Sequence, residues 1–288
     1  MDAVNRIEQA LQGAIARAEV PGCPPSLAAA MRHAVFPRGA RVRPRLCLAV
    51  AAACGDDEPM LSDAAAISIE LLHCASLVHD DLPCFDNAAT RRGRPSVHHA
   101  FGEPLAVLAG DALIVLAFQT LARFTRQPQR LGLLLMTVSR SVGVPFGIVA
   151  GQAWECEPHV NTAHYHRSKT GSLFAAASIA GAAAAGADCE PWRVLGEKLG
   201  EAYQAADDIR DAAGDAEEIG KPIGRDAVLG RPNLVNELGL GGAVRRLEQL
   251  VAEAVAAIPS CPGAGELKSL MLLEAKRLLP KKLAQSAA

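Results

Sequence analysis

Residues 76–95 read SLVHDDLPCFDNAATRRGRP, and this stretch decides how the chain is read. Asp80, Asp81 and Asp86 stand at the end of an apolar run of helical spacing, and Arg91, Arg92 and Arg94 trail them at once. A second acidic trio closes another apolar run at 202–215, AYQAADDIRDAAGD, with Asp207, Asp208 and Asp211. On a helix Asp207 and Asp211 lie one turn apart and share a face. Crowded carboxylates repel and raise one another's pKa, so a cation is their natural neutraliser. Hard oxygen donors with positions left open for water and phosphate suit Mg²⁺ better than zinc or copper. Arginine forks bind phosphate oxygens bidentately, so acids followed closely by arginines point to a metal-bridged diphosphate rather than a lone metal site. A single acidic helix end is as readily a solvated surface; two such clusters in one chain shift the balance.

Outward from these motifs, the chain reads as helical. Half of its 288 residues are apolar and only 4% are aromatic. Long tracts rich in Ala, Leu and Gly rather than Val, Ile and Tyr favour packed helices over sheets. Apolar residues recur at helical spacing, as in Ile7, Leu11, Ala14 and Ile15 and again in Leu247, Leu250, Val251 and Ala254. Pro, Gly, Asn and Asp gather at 21–25, 37–39, 82–95, 158–162, 214–232 and 259–263, which predicts about ten helices. No linker is rich enough to divide the chain, so a single all-α domain over 1–288 is expected, built as a helical bundle around a central apolar cavity.

The 29 basic and 31 acidic residues nearly cancel, leaving no electrostatic footprint for nucleic acid or an anionic membrane. Eight cysteines, Cys23, Cys47, Cys54, Cys74, Cys84, Cys156, Cys189 and Cys261, form no C-x-x-C pair and read as reduced thiols. The first fifteen residues resemble an amphipathic helix rather than a secretory signal, and the least charged stretch, 171–187, falls short of a membrane span. A soluble, cytoplasmic protein is the expectation.

The two acidic motifs, together with GARVRP at 39–44, GDAL at 110–113, GQAWE at 151–155, KTGSLF at 169–174 and GKPIGRD at 220–226, resemble the trans-isoprenyl diphosphate synthases, the polyprenyl synthetase family. The likeness runs through nearly the whole chain and is nearest to the bacterial geranylgeranyl diphosphate synthases of carotenoid and bacteriochlorophyll synthesis. It implies a head-to-tail prenyltransferase that joins isopentenyl diphosphate to an allylic diphosphate, with three Mg²⁺ ions and a homodimeric assembly. Asp80, Asp86 and Asp207 would be direct metal ligands, helped through water by Asp81, Asp208 and Asp211. Arg91, Lys169, Thr170, Gln204 and Lys221 would hold the allylic diphosphate, and Arg43, His73 and Arg92 the isopentenyl diphosphate. The family's usual Lys in G-G-K-R-x-R-P is replaced here by Ala40, and the resemblance implies that Arg41 and Arg43 suffice. His73 lies about two helical turns before Asp80, on nearly the same face. His79, His98 and His99 are given no role beyond packing or solvated surface.

Ionisation of an allylic carbon–oxygen bond needs stabilisation of the departing charge and a dry cavity for the cation. The two acidic trios are expected on opposite walls of one apolar tunnel, lined by segments 46–79 and 105–123. Ser76 and Ala75 lie four and five residues before Asp80, roughly 6 to 7.5 Å along a helix. Both are small; in the family an aromatic at the fifth position stops growth at fifteen carbons, so Ala75 points to a twenty-carbon product, with farnesyl diphosphate as the alternative. A class I terpene cyclase would not need Arg43, His73, Arg92 and GKPIGRD. A head-to-head synthase would lack the trailing R-R-G. A non-catalytic partner subunit would tend to lose one aspartate cluster.

Overall fold

The computed structural model describes residues 2–36, 39–124, 126–158, 167–213 and 233–276. Among them run twelve α-helices: α1 Ala3–Ala18, α2 Pro25–Val35, α3 Val42–Ala53, α4 Pro59–Asp80, α5 Val97–Phe101, α6 Glu103–Ala122, α7 Pro128–Val142, α8 Ile148–Ala153, α9 Ser172–Ala184, α10 Arg193–Ala213, α11 Leu234–Ala256 and α12 Ala264–Lys276. The short α5 and α8 account for the excess over the expected ten. A π-helical turn, Arg167–Gly171, leads into α9. The described strands are two residues each, Thr90–Arg91 and Arg94–Pro95, paired antiparallel.

Two compact units emerge, Met1–Ser139 with Ala180–Asp188, and Arg140–Ile179 with Cys189–Ala288. In the first unit α4 is the central element. Pro59 at its first turn costs no hydrogen bond. From Leu61 to Val78 most of its positions are buried, including Ile69, Leu71, Leu72, Cys74 and Ala75, and α3 and α6 pack on it. Burying a leucine or isoleucine side chain contributes about 1.5–3 kcal/mol, so α4 is held mainly by its neighbours. The amphipathic α1 covers this unit through the expected Ile7, Leu11, Ala14 and Ile15.

In the second unit α10 packs along α11. Ala202, Ala205, Ala206 and Ile209 meet Ala243, Leu247, Leu250 and Val251 in a buried seam whose alanines allow close approach. By length and composition α4 and α6 could each cross a bilayer, although no span was expected from the sequence; 78% of the apolar window of α4 and 44% of that of α6 is buried inside the protein.

Candidate active site

In the first unit the acidic residues sit where a helix least favours them. Asp80 is the last residue of α4 and Asp81 its C-cap, at the negative end of the helix dipole. A tight turn then folds back, with Asp86 N–H donating to the Asp80 carbonyl at 3.0 Å and Ala88 N–H to the Asp81 carbonyl at 3.1 Å. That turn brings Asp86 back beside Asp80. The arginines follow on the hairpin whose two-residue loop is Arg92-Gly93. Both loop residues have positive φ, +53° and +73°, as a type I′ hairpin turn requires, and Gly93 adopts it without strain. This turn lets R-R-G present adjacent arginines in different directions.

Arg91 reaches back to Asp81. Its Nε donates to the carboxylate at 3.0 and 3.2 Å, and its Nη2 makes a further close bond. Burial pushes the Asp81 carboxyl up, and Arg91 opposes that rise. Asp80 is the more open of the pair, its side chain 14% exposed against 3% for Asp81. Arg92 turns the other way. Its Nη2 lies 4.0 Å from Glu70 of α4, and its guanidinium lies on the backbone of Gly39, where an added Cβ would stand 2.6 Å from the guanidinium carbon.

Arg43 donates from Nη1 to His73 Nε2 at 3.4 Å, which leaves the imidazole neutral. Burial, reinforced by Arg43, Arg92, Arg91 and Arg41, holds the His73 pKa well below 6.5. Arg41, expected to support isopentenyl diphosphate, is instead buried in the protein. Its Nε meets Glu8 at 2.8 Å, its Nη1 meets Glu70 at 2.6 Å and its Nη2 meets the Val35 carbonyl at 2.9 Å. With 2% exposure it presents no face to a ligand. Ala75 is buried and Ser76 half-buried on the same helix. His79, given no role from the sequence, lies 3.3 Å from the Val107 carbonyl and 3.7 Å from Asp111. His98 is buried against Ser96, at 3.0 Å, and His99 makes an edge contact with the His98 ring.

In the second unit the same division between paired aspartates recurs. Asp207 is exposed, whereas Asp208 is buried. Asp208 accepts from Gln204 Nε2 at 2.9 Å and from the Leu234 N–H at 2.8 Å, so it caps the start of α11 together with Asn233. Gln204 in turn accepts from Thr170 at 3.0 Å. The chain Thr170, Gln204, Asp208 therefore has a fixed donor direction. Asp211 lies one turn beyond Asp207 and is half-buried.

Lys169 pairs with Glu155 of the GQAWE stretch at 2.6 Å, and Gln152 supports Glu155 at 3.4 Å. Gly151 makes this approach possible: an added Cβ there would stand 2.5 Å from the Lys169 backbone nitrogen. Lys221 and the rest of GKPIGRD lie outside the described residues. The sequence reading missed Glu8 and Glu70, because single glutamates in helical runs carry no motif, and it quoted Glu155 within GQAWE without giving it a role.

The donor set fits magnesium. Carboxylate oxygens are its preferred protein ligands, and it is usually held by one or two of them plus phosphate rather than by a closed protein cage. Among the described residues no three His, Cys, Asp or Glu side chains converge into such a cage.

The family model described as Polyprenyl synthetase matches residues 24–257. A geranylgeranyl diphosphate synthase of Cereibacter sphaeroides is 54% identical over 281 residues, spanning 97% of this chain and 98% of that protein. A geranylgeranyl diphosphate synthase of Rhodobacter capsulatus is 50% identical over 276 residues, 96% of each chain. Among solved structures, a geranyltransferase from Helicobacter pylori, complexed with magnesium and isoprenyl diphosphate, superposes with a TM-score of 0.79 at 29% identity, over 96% of this chain and 98% of that one. On the aspartate motifs, the arginine hairpin and these matches, the chain belongs to the polyprenyl synthetase family.

Proposed function

We propose that this chain, acting as one synthase domain over 1–288, condenses isopentenyl diphosphate with an allylic diphosphate, with geranylgeranyl diphosphate as product. The observation that carries this reading is the repeated pairing of an outer and an inner aspartate. Asp80 and Asp207 are the more exposed members, while Asp81 and Asp208 are buried and hold Arg91 and the start of α11. Similarity over nearly full length to two geranylgeranyl diphosphate synthases supports it.

Asp80, Asp86 and Asp207 would bind the metal, three Mg²⁺ ions with the diphosphate in place. Bound Mg²⁺ supplies neutralisation of the charge on the departing diphosphate. Arg91, Lys169, Thr170, Gln204 and Lys221 hold the allylic diphosphate. Arg91 is already oriented by Asp81, and Lys169 would exchange its pairing with Glu155 for a phosphate oxygen. Arg43, His73 and Arg92 receive isopentenyl diphosphate, His73 as a neutral donor from the nitrogen that does not face Arg43. The small side chains of Ala75 and Ser76 leave room for the growing chain.

The enzyme is proposed to work as a homodimer in the cytoplasm, supplying carotenoid synthesis. Exposed Val107, Leu108 and Val115 on α6, with Leu133 and Met136 on α7, provide apolar surface for a second copy. Eight free thiols fit a reducing compartment.

The deciding experiment incubates purified protein with Mg²⁺, isopentenyl diphosphate and each allylic starter, then separates the dephosphorylated products by chromatography. A twenty-carbon alcohol is expected. Product that stops at fifteen carbons with every starter would overturn the product assignment, and no condensation at all would overturn the function.

A further inference from the structure

We propose that His33 and Arg94 form a clamp between α2 and the arginine hairpin, and that His33 is a positioning residue for isopentenyl diphosphate, acting through Arg92. The inference rests on the reading of Arg92 as a ligand of that substrate. Arg94 trails the first acidic motif together with Arg91 and Arg92, yet its guanidinium is engaged within the protein. Its Nη1 donates to the Phe36 carbonyl at the end of α2 at 3.0 Å, and its Nη2 donates to His33 Nδ1 at 3.1 Å. Arginine has no lone pair to offer, so Nδ1 is the acceptor and the proton of the neutral ring sits on Nε2. Nε2 in turn lies 2.8 Å from the Pro95 carbonyl and donates to it. Both ring nitrogens are thereby used on adjacent residues of one strand, and Phe101 of α5 meets the ring in an edge arrangement, with centroids 5.3 Å apart.

The hairpin needs such an anchor. Its strands are two residues each, and a ladder that short does not hold its own orientation in water. A cavity lined by His33, Leu77, Val78, Arg92 and Arg94 opens between the hairpin, α2 and α4, so the hairpin does not rest on close packing along its whole inner side. The two arginines ahead of Arg94 are therefore aimed by separate ties. Asp81 holds Arg91 on the first strand. Arg92 sits in the loop between that strand and the clamped Arg94–Pro95 strand, with its guanidinium against Gly39. Releasing the clamp shifts Arg92 while Asp81 keeps its grip on Arg91.

The test measures steady-state kinetics for His33→Ala, His33→Asn, His33→Gln, Arg92→Gln and the double of His33→Ala with Arg92→Gln. Asparagine can still accept from Arg94 and glutamine can still donate to the Pro95 carbonyl, so each keeps one half of the clamp. In His33→Ala the KM for isopentenyl diphosphate should rise about tenfold, the scale on which a small misplacement acts, with kcat and the allylic KM within about twofold. The asparagine and glutamine variants should fall between wild type and His33→Ala. Arg92→Gln should raise the same KM further and absorb the effect of His33→Ala in the double. An equal rise for the allylic substrate, no recovery in either conservative variant, or effects that multiply in the double would each overturn the inference. A raised KM in Arg92→Gln beside an unshifted one in His33→Ala overturns the inference alone, whereas an unshifted KM in Arg92→Gln overturns the reading of Arg92 and the inference with it. Should His33→Ala fail to fold, Arg94→Gln takes its place under the same criteria.

Discussion

Replacing Asp80 and Asp81 one at a time by asparagine should separate two jobs that the motif fuses. The Asp81 carboxylate is 3% exposed and accepts from Arg91 Nε at 3.0 and 3.2 Å and from Nη2. Asp81→Asn removes the nearest countercharge of Arg91 at a site where that side chain is only 22% exposed, leaving Asp80 at 3.8 Å. Charged hydrogen bonds of this kind contribute about 1.5–3 kcal/mol, and the asparagine oxygen retains part of the geometry, so a loss of about 2 kcal/mol is expected. For a chain of this size that is a fall of roughly 4–8 °C in melting temperature. Asp80 is more exposed and 3.8 Å from Arg91, so Asp80→Asn should cost under about 1 kcal/mol.

Catalysis should show the opposite order. Asp80→Asn is expected to lower kcat by about 10³-fold, because the metal that would neutralise the departing charge loses a ligand. Asp81→Asn should act through a misaimed Arg91 and reduce kcat/KM for the allylic substrate by about 10–100-fold. Thermal unfolding followed by circular dichroism, alongside steady-state kinetics at saturating Mg²⁺, reads both axes. Greater destabilisation by Asp80→Asn than by Asp81→Asn would refute the division into an outer ligand and an inner clamp.

Three further expectations follow from the same geometry. Ala75→Tyr should shorten the product to farnesyl diphosphate if this buried position borders the chain pocket, and chromatography showing unchanged length would remove Ala75 from the account. Asp207→Ala should abolish nearly all turnover with the fold intact, whereas Asp208→Ala should also cost about 1 kcal/mol of stability by uncapping α11, a difference that paired melting and activity measurements resolve. Because His73 has its folded pKa held well below 6.5, the unfolded chain takes up a proton that the folded one refuses as pH drops below about 6.5. Stability should therefore fall by up to about 1.4 kcal/mol per pH unit on acidification, and His73→Gln should flatten the slope by one proton; an identical slope in the variant would contradict a neutral, half-buried His73.

The helices and the acidic motifs were legible because each is a local pattern. The spacing of Ile7, Leu11, Ala14 and Ile15 specifies a buried stripe whatever it packs on. The Pro, Gly and Asn gathered over 82–95 mark the break after α4, whereas the positive φ of Arg92 beside Gly93 is visible only in the structure. The division within each aspartate pair was not legible. Asp80 and Asp81 are chemically identical neighbours, and only the path of residues 82–91 decides which carboxylate Arg91 clamps. Arg41 escaped for the same reason. In the sequence it is one more cation beside Arg43, and its burial depends on Glu8, 33 positions away, and Glu70, 29 away.

The amino-acid order alone thus determined the all-helical class, the two acidic motifs with their trailing arginines, and the kind of ligand such groups attract, because propensity, periodicity and charge type act over a few residues. Tertiary structure decided which of those charges turn inward to hold the protein and which stay open for a ligand. That choice depends on desolvation and on partners brought together from distant parts of the chain, and neither is encoded at any single position.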